Sequence, residues 1–189
     1  MTSYENTFIK LAKDKEALLF GDFTLKSGIK SKIFFNIANL NDGLSLFTLA
    51  NCYADMIVDK NIEFDMIFGP AYKGIHLAAA VAMALAARHK INIPFAFNRK
   101  EEKAHGEGGT IIGAPIKGKV LIIDDVITRG TACREAIGYI LAHKAEVSGL
   151  AVALDREELH STEHNTVAGL LESEYNIRIL SITKLARIK

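Results

Sequence analysis

Residues 120–132 read VLIIDDVITRGTA, and the order of residue types in this stretch decides the fold. Val120, Leu121, Ile122 and Ile123 form an apolar run with no polar member. Such a run is expected of a strand buried on both faces, as in a parallel sheet. Asp124 and Asp125 follow at once. Thr128, Arg129, Gly130 and Thr131 then make a hydroxyl-rich turn, after which Cys133, Ala136, Ile137, Ile140 and Leu141 recur at helical spacing. The order strand, acidic pair, turn, helix leaves free backbone N–H groups at a helix N-terminus, where an anion is favoured. It also sets the carboxylates at the C-terminal strand edge, where open α/β sheets bind ligands. A phosphate cradle beside two acids suits a sugar phosphate, the acids serving its hydroxyls or a metal. A plainer reading has both aspartates merely capping the turn; all the parts occurring together in order favours the ligand site.

The chain of 189 residues suits one domain, and at 49% hydrophobic it can bury a substantial core. A net charge of +1 makes no bulk electrostatic case for nucleic acid or a membrane surface. Cys52 and Cys133 lie far apart, and Cys133 falls on the apolar face of a predicted helix, so buried thiols are expected and not a disulfide. The N-terminal stretch MTSYENTFIKLAKDKEALLF is amphipathic and charged, unlike a secretory leader. No apolar run approaches the length of a membrane span. A soluble, cytoplasmic protein is expected. There is no internal repeat.

Taken in order, Tyr4 to Phe20 reads as a helix with Phe8, Leu11, Ala12, Leu18 and Leu19 as its apolar stripe, ended by Gly21 and Asp22. Phe23 to Ser31 reads as a hairpin turning at Ser27-Gly28, and Ile33 to Ile37 as a strand. Neighbouring strand residues face opposite ways, so one of Phe34 and Phe35 needs a role outside the core, such as packing a flat heterocycle. Leu44 to Lys60 is a second helix, with Phe47, Leu49, Ala50, Tyr53, Ala54, Ile57 and Val58 supplying core. A strand over Phe64–Phe68 runs into Gly69-Pro70-Ala71-Tyr72-Lys73-Gly74, and an Ala-rich helix follows from about Ile75 to Arg88. Alone, Lys26 and Lys73 each read as solvated lysines. Ile93–Phe97 is a third strand, followed by Asn98, Arg99, Lys100 and a glycine-rich segment to Gly109. That segment is either an idle surface loop or a lid carrying Lys103 and His105. Thr110 to Gly118 reads as a short strand pair. Gly113 to Lys119 fits the spacing of a nucleotide-binding GxxxxGK loop, but Val120 and a strand follow, so the mechanics fail. Val147–Leu154 and Ile177–Ile182 are further strands, and Thr166–Ser173 a helix.

Four motifs in sequence order then carry a family resemblance. Val120–Ala132 resembles the signature of the type I phosphoribosyltransferases, which bind phosphoribosyl pyrophosphate. LKSG followed by FFN resembles the N-terminal signature of the orotate phosphoribosyltransferases within that group. GPAYKG is similar to their pyrophosphate-binding loop, and RKEEKAHGEGG to their catalytic loop. Ile29, where members often carry Arg, and Lys32-Ile33, where they carry Pro-Tyr, fall between the functional positions.

The resemblance implies an α/β fold with a mostly parallel central sheet flanked by helices, and a small N-terminal hood. The whole of residues 1–189 would be one phosphoribosyltransferase domain, with about residues 1–40 and part of the C-terminus forming the hood. The implied reaction moves the ribose 5-phosphate unit of phosphoribosyl pyrophosphate onto orotate, giving orotidine 5′-monophosphate and pyrophosphate in pyrimidine biosynthesis. Lys103, His105, Asp124 and Asp125 would be catalytic. Phosphoribosyl pyrophosphate would be held by Lys26, Tyr72, Lys73, Arg99, Lys100, Lys103, His105, Asp124, Asp125 and the run Val126, Ile127, Thr128, Arg129, Gly130, Thr131 and Ala132. Orotate would meet Lys26, Phe34, Phe35, Thr128 and Arg156, whose guanidinium suits bidentate capture of a carboxylate. Mg²⁺ would be bound through pyrophosphate, with no ligand directly from the protein. The active form would be a homodimer in which the 99–109 loop reaches the neighbouring subunit's site. A transferase for a purine base, or a non-enzymatic sensor of phosphoribosyl pyrophosphate, shares the signature stretch; FFN and the intact loop favour orotate.

Overall fold

The chain runs as helix α1 (Ser3–Asp14), strands β1 (Leu18–Thr24) and β2 (Lys30–Phe35), helix α2 (Gly43–Asp59), strand β3 (Met66–Gly69) and helix α3 (Lys73–His89). Strands β4 (Phe95–Lys103), β5 (Gly109–Gly113) and β6 (Lys119–Ile127) follow, then α4 (Thr131–Ala142), β7 (Glu146–Asp155), α5 (Val167–Tyr175) and β8 (Arg178–Lys184). The computed structural model describes residues 1–24, 30–103, 109–159 and 165–188, with residues 101–103 described by their backbone alone.

Strands β1 and β2 pair with each other, and the remaining six form a sheet in the order β5-β4-β3-β6-β7-β8. All are parallel except β5, which runs antiparallel to β4 at the edge. From β3 the chain moves outward to β4 and β5, then returns to β6 on the other side of β3. The order therefore reverses between β3 and β6, and the crevice above their C-terminal ends is where such a sheet takes a ligand.

The apolar run of β6 is buried on both faces, as its composition predicts. Leu121 and Ile123 join the core under α1, α2 and α3. Val120 and Ile122 join the core under α4 and α5. Each such aliphatic side chain contributes about 1.5–3 kcal/mol by leaving water. Both thiols are free and buried, and burial pushes each up to about 12.

Several boundaries differ from the sequence reading. The first helix stops at Asp14, closed by the Lys15 N–H on the Leu11 carbonyl and the Glu16 N–H on the Lys13 carbonyl. Leu18, Leu19 and Phe20 are strand, because Phe35, Phe34 and Ile33 offer them cross-strand partners. Gly21 and Asp22 lie where the register shifts between Phe20 and Phe23, within that strand and not at a helix end. The hairpin is present, but its expected turn at Ser27-Gly28 lies outside the described residues. β2 stops at Phe35, since the Asn36 side chain caps a short 3-10 turn over Ile37–Asn39. Phe47, Val58 and Leu141 were expected in the core and are exposed. The segment 110–118 does not pair with itself: β5 pairs back onto β4, which is longer than expected. Gly113 ends β5 and Lys119 opens β6, so the GxxxxGK spacing is only a connection between strands.

Candidate active site

Asp124 and Asp125 lie inside β6, not in a turn after it, because the ladder to β7 continues to Ile127 and Asp155. Asp125 is only 5% exposed, and its carboxylate Oδ2 takes a hydrogen bond from Lys73 Nζ at 2.6 Å. Its backbone N–H donates to Asp124 Oδ1 at 2.9 Å. Tyr53, wholly buried on α2, donates its hydroxyl to the Asp124 carbonyl at 2.7 Å. Burial first, and the Asp125 charge second, push the Asp124 carboxyl up to about 7. His76 is held below the usual histidine range, chiefly by burial.

The turn after β6 reaches α4 through Gly130, whose φ of 74° is the left-handed conformation that favours glycine. No side chain caps α4, so its first N–H groups remain available. Asp124 and the run Val126 to Ala132 line a cavity of about 280 Å³ there. A phosphate fits such a cradle, since the helix dipole adds to its donors.

The Gly69–Gly74 turn crosses the neighbouring strand end. A Cβ on Gly69 would come within 2.1 Å of the Gly74 carbonyl oxygen, and one on Gly74 within 2.9 Å of the Ile123 carbonyl oxygen. Only glycine allows this approach to β6, which is what aims Lys73 at Asp125. The Ala71–Tyr72 peptide is cis. Tyr72 is exposed, and Lys100 Nζ stands 4.8 Å from the centre of its ring.

A cleft of about 490 Å³ joins these parts to β2, lined by Thr24, Phe34, Phe35, Asn36, Lys73, Val126, Thr128, Arg129, Arg156 and Glu158. Phe35 turns an edge to Phe8 of the core, whereas the Phe34 ring lies against Phe23 and stays exposed. Arg156 Nε lies 3.2 Å from Glu158 Oε1, although Glu158 Oε1 makes no aligned hydrogen bond. Phe34, Phe35, Thr128 and Arg156, expected at orotate, thus line one cleft with Lys73, expected at phosphoribosyl pyrophosphate. Arg99 is not among the cleft residues, and its Nη1 is buried with no hydrogen-bond partner among the described residues. Lys26, His105 and the Lys103 side chain lie outside the described residues. Asn98, Tyr53 and Glu158 are additions that no motif identified. A wider groove of about 770 Å³ between α1 and the Ala186-Arg187 turn holds none of the predicted site residues.

Among the described residues, no group of three or more His, Cys, Asp or Glu side chains is placed to hold a metal ion, and no helix is long and apolar enough to cross a membrane.

Comparison with known proteins agrees with this geometry. Residues 36–180 match the family described as phosphoribosyl transferase domain. The chain is 50% identical over 188 residues to the orotate phosphoribosyltransferase of Pseudomonas putida (strain W619), covering 100% of this chain and 88% of that one. It is 52% identical over 188 residues to the orotate phosphoribosyltransferase of Xanthomonas campestris pv. campestris (strain B100), covering 98% and 85%. The crystal structure of the Francisella tularensis orotate phosphoribosyltransferase superposes with a TM-score of 0.87 at 39% identity, over 96% of this chain and 87% of that chain. An acidic pair and phosphate cradle at the switch point, on a chain this similar throughout its length, place the protein in the orotate phosphoribosyltransferase family of type I phosphoribosyltransferases.

Proposed function

We propose that the protein transfers the ribose 5-phosphate unit of phosphoribosyl pyrophosphate to orotate, releasing pyrophosphate and orotidine 5′-monophosphate for pyrimidine biosynthesis. One observation carries this reading. The phosphate cradle lined by Val126–Ala132 and the Phe34, Phe35 and Arg156 cleft share Val126, Thr128 and Arg129, so a phosphate and a flat anionic ring can lie side by side.

In this mechanism the C1′–oxygen bond to pyrophosphate loosens, and positive charge develops on the ribose. The chain's task is alignment and charge stabilisation. The α4 N-terminus fixes the 5′-phosphate. Asp124 and Asp125 hold the ribose hydroxyls and steady the cationic sugar. Lys73, Tyr72, Arg99 and Lys100 form the pyrophosphate end, to which Lys26, Lys103 and His105 add charge. Arg156 takes the orotate carboxylate, and Phe34 and Phe35 take its ring face and edge. Mg²⁺ would be held through pyrophosphate oxygens and water, with no ligand directly from the protein, and would neutralise pyrophosphate charge.

The same reading makes the protein a cytoplasmic homodimer, with residues 99–109 serving the neighbouring site. The β4–β5 hairpin that frames this segment lies at the sheet edge, and Leu44 and Phe47 of α2 and Met83 of α3 offer exposed apolar surface to a second copy. Residues from β1 and β2 line the cleft, which supports the role of about residues 1–40 as a hood.

The first test is orotate consumption, followed by its ultraviolet absorbance. Loss of signal that requires protein, phosphoribosyl pyrophosphate and Mg²⁺ is expected. Turnover of hypoxanthine or adenine with none of orotate would overturn the substrate. Binding of phosphoribosyl pyrophosphate without any turnover would favour a sensor instead.

A further inference from the structure

We propose that Asn98 is a positioning residue for the pyrophosphate end of the site. It acts by locking the Gly69–Gly74 turn to the strand that carries Arg99 and Lys100. The inference rests on the reading of that turn as a pyrophosphate site.

Asn98 is the one buried polar side chain in β4 among the described residues, at 8% exposure. Its neighbour in the ladder, Phe97, stands opposite Gly69, so Asn98 lies just past the point where β3 ends and the turn begins. Its Oδ1 accepts the Ala71 N–H at 2.9 Å, and its Nδ2 donates to the Arg99 carbonyl at 3.3 Å. Ala71 stands between Pro70, which has no N–H, and Tyr72, whose carbonyl turns back to the Ile75 N–H. The other bonds of the turn run from Gly74 to Pro70 and from Ile75 to Tyr72, leaving the Ala71 donor without a partner inside it.

A side chain able to accept on one side and donate on the other is needed here, and among side chains of this size the amide alone does both. A carboxylate would face the Arg99 carbonyl oxygen with a second oxygen. An apolar side chain would leave a half-buried N–H unsatisfied. The glycine contacts hold the far side of the turn, and Asn98 holds the near side. Between them Lys73 is aimed across the crevice while the backbone at Arg99 is held to the same amide. Loss of Asn98 therefore relaxes Lys73 and Arg99 together, while Phe34, Phe35 and Arg156, which take orotate in the proposed reading, keep their own contacts.

The test compares the parent protein with Asn98→Leu and Asn98→Ala. Calorimetric titration with pyrophosphate and Mg²⁺ should show about tenfold weaker binding, the cost of one orphaned donor. The KM for phosphoribosyl pyrophosphate should rise by a similar factor while the KM for orotate stays within about twofold. Equal rises in both KM values would reduce Asn98 to a general structural part, and unchanged pyrophosphate binding would overturn the proposal. If Asn98→Leu fails to fold, Asn98→Ala carries the same readouts. A parent protein that binds pyrophosphate but converts no orotate would refute the reaction, and the calorimetric comparison would still judge Asn98.

Discussion

Lys73 Nζ stands 2.6 Å from Asp125 Oδ2, joining the first residue of α3 to β6 across the switch point of the sheet. The partners are unequal: the Asp125 side chain is 7% exposed and that of Lys73 is 49% exposed. In the proposed mechanism the lysine is the partner that turns to the substrate anion. Lys73→Ala should lower kcat/KM for phosphoribosyl pyrophosphate by roughly a hundredfold. Stability should fall by only about 1 kcal/mol, because half the ammonium is already in water. Steady-state kinetics and urea unfolding on one sample separate the two, and a collapse of stability matching the activity loss would remove Lys73 from the site.

Asp124 makes the protein's stability fall as pH rises. Its folded carboxyl sits at about 7, against an ordinary aspartate value of 3.8. Between these values the unfolded chain releases the proton while the native state keeps it, so the unfolded state gains as pH rises. The loss is complete above about pH 7. Asp124→Asn should match the parent near pH 4 and exceed it at pH 8 by on the order of 2 kcal/mol. Thermal melts across that range check this, and a variant less stable than its parent at pH 8 would overturn it. Asp125, Lys73, Tyr53 and Cys133 interact with the group, so the comparison is best made at fixed ionic strength.

Arg156→Ala should chiefly raise the KM for orotate, by roughly thirty- to a hundredfold if the guanidinium holds the carboxylate through two charged hydrogen bonds. The KM for phosphoribosyl pyrophosphate should move little. An unchanged orotate KM would take Arg156 out of the substrate cleft and leave it as the partner of Glu158 alone.

Mixing Lys103→Ala protein with an Asp124→Asn, Asp125→Asn protein tests the shared site. Each parent should be nearly inactive, and exchange of subunits should restore about a quarter of the activity by forming heterodimers with one intact site. Absence of recovery after verified exchange would mean that residues 99–109 serve their own subunit. Lys103→Ala alone should lower kcat far more than it weakens orotate binding.

Much of the fold was legible because it depends on neighbours in the chain. The VLII run, the acidic pair and the glycine turn lie within Val120 to Ala132, so their order alone specified a buried strand, a ligand edge and a helix start. The Gly69–Gly74 turn was legible for the same reason. Leu18–Phe20 was misread because a short apolar run fits a helix or a strand equally well, and the choice was made by Ile33–Phe35 pairing beside it. Phe47 was assigned to the core by composition, but its place on α2 turns it 61% into solvent.

The chain's local patterns thus determined the α/β architecture, the strand–turn–helix order of residues 120–132 and the residue types on which the proposed site draws. Tertiary structure decided the rest: that Lys73 reaches Asp125, that Tyr53 holds the Asp124 carbonyl, that Asn98 fills the open donor of Ala71, and that Phe34 and Arg156 face one cleft. These are contacts between residues distant in sequence. No periodicity records them, because side-chain chemistry specifies what a residue can pair with, and only the packed sheet brings the partner within reach.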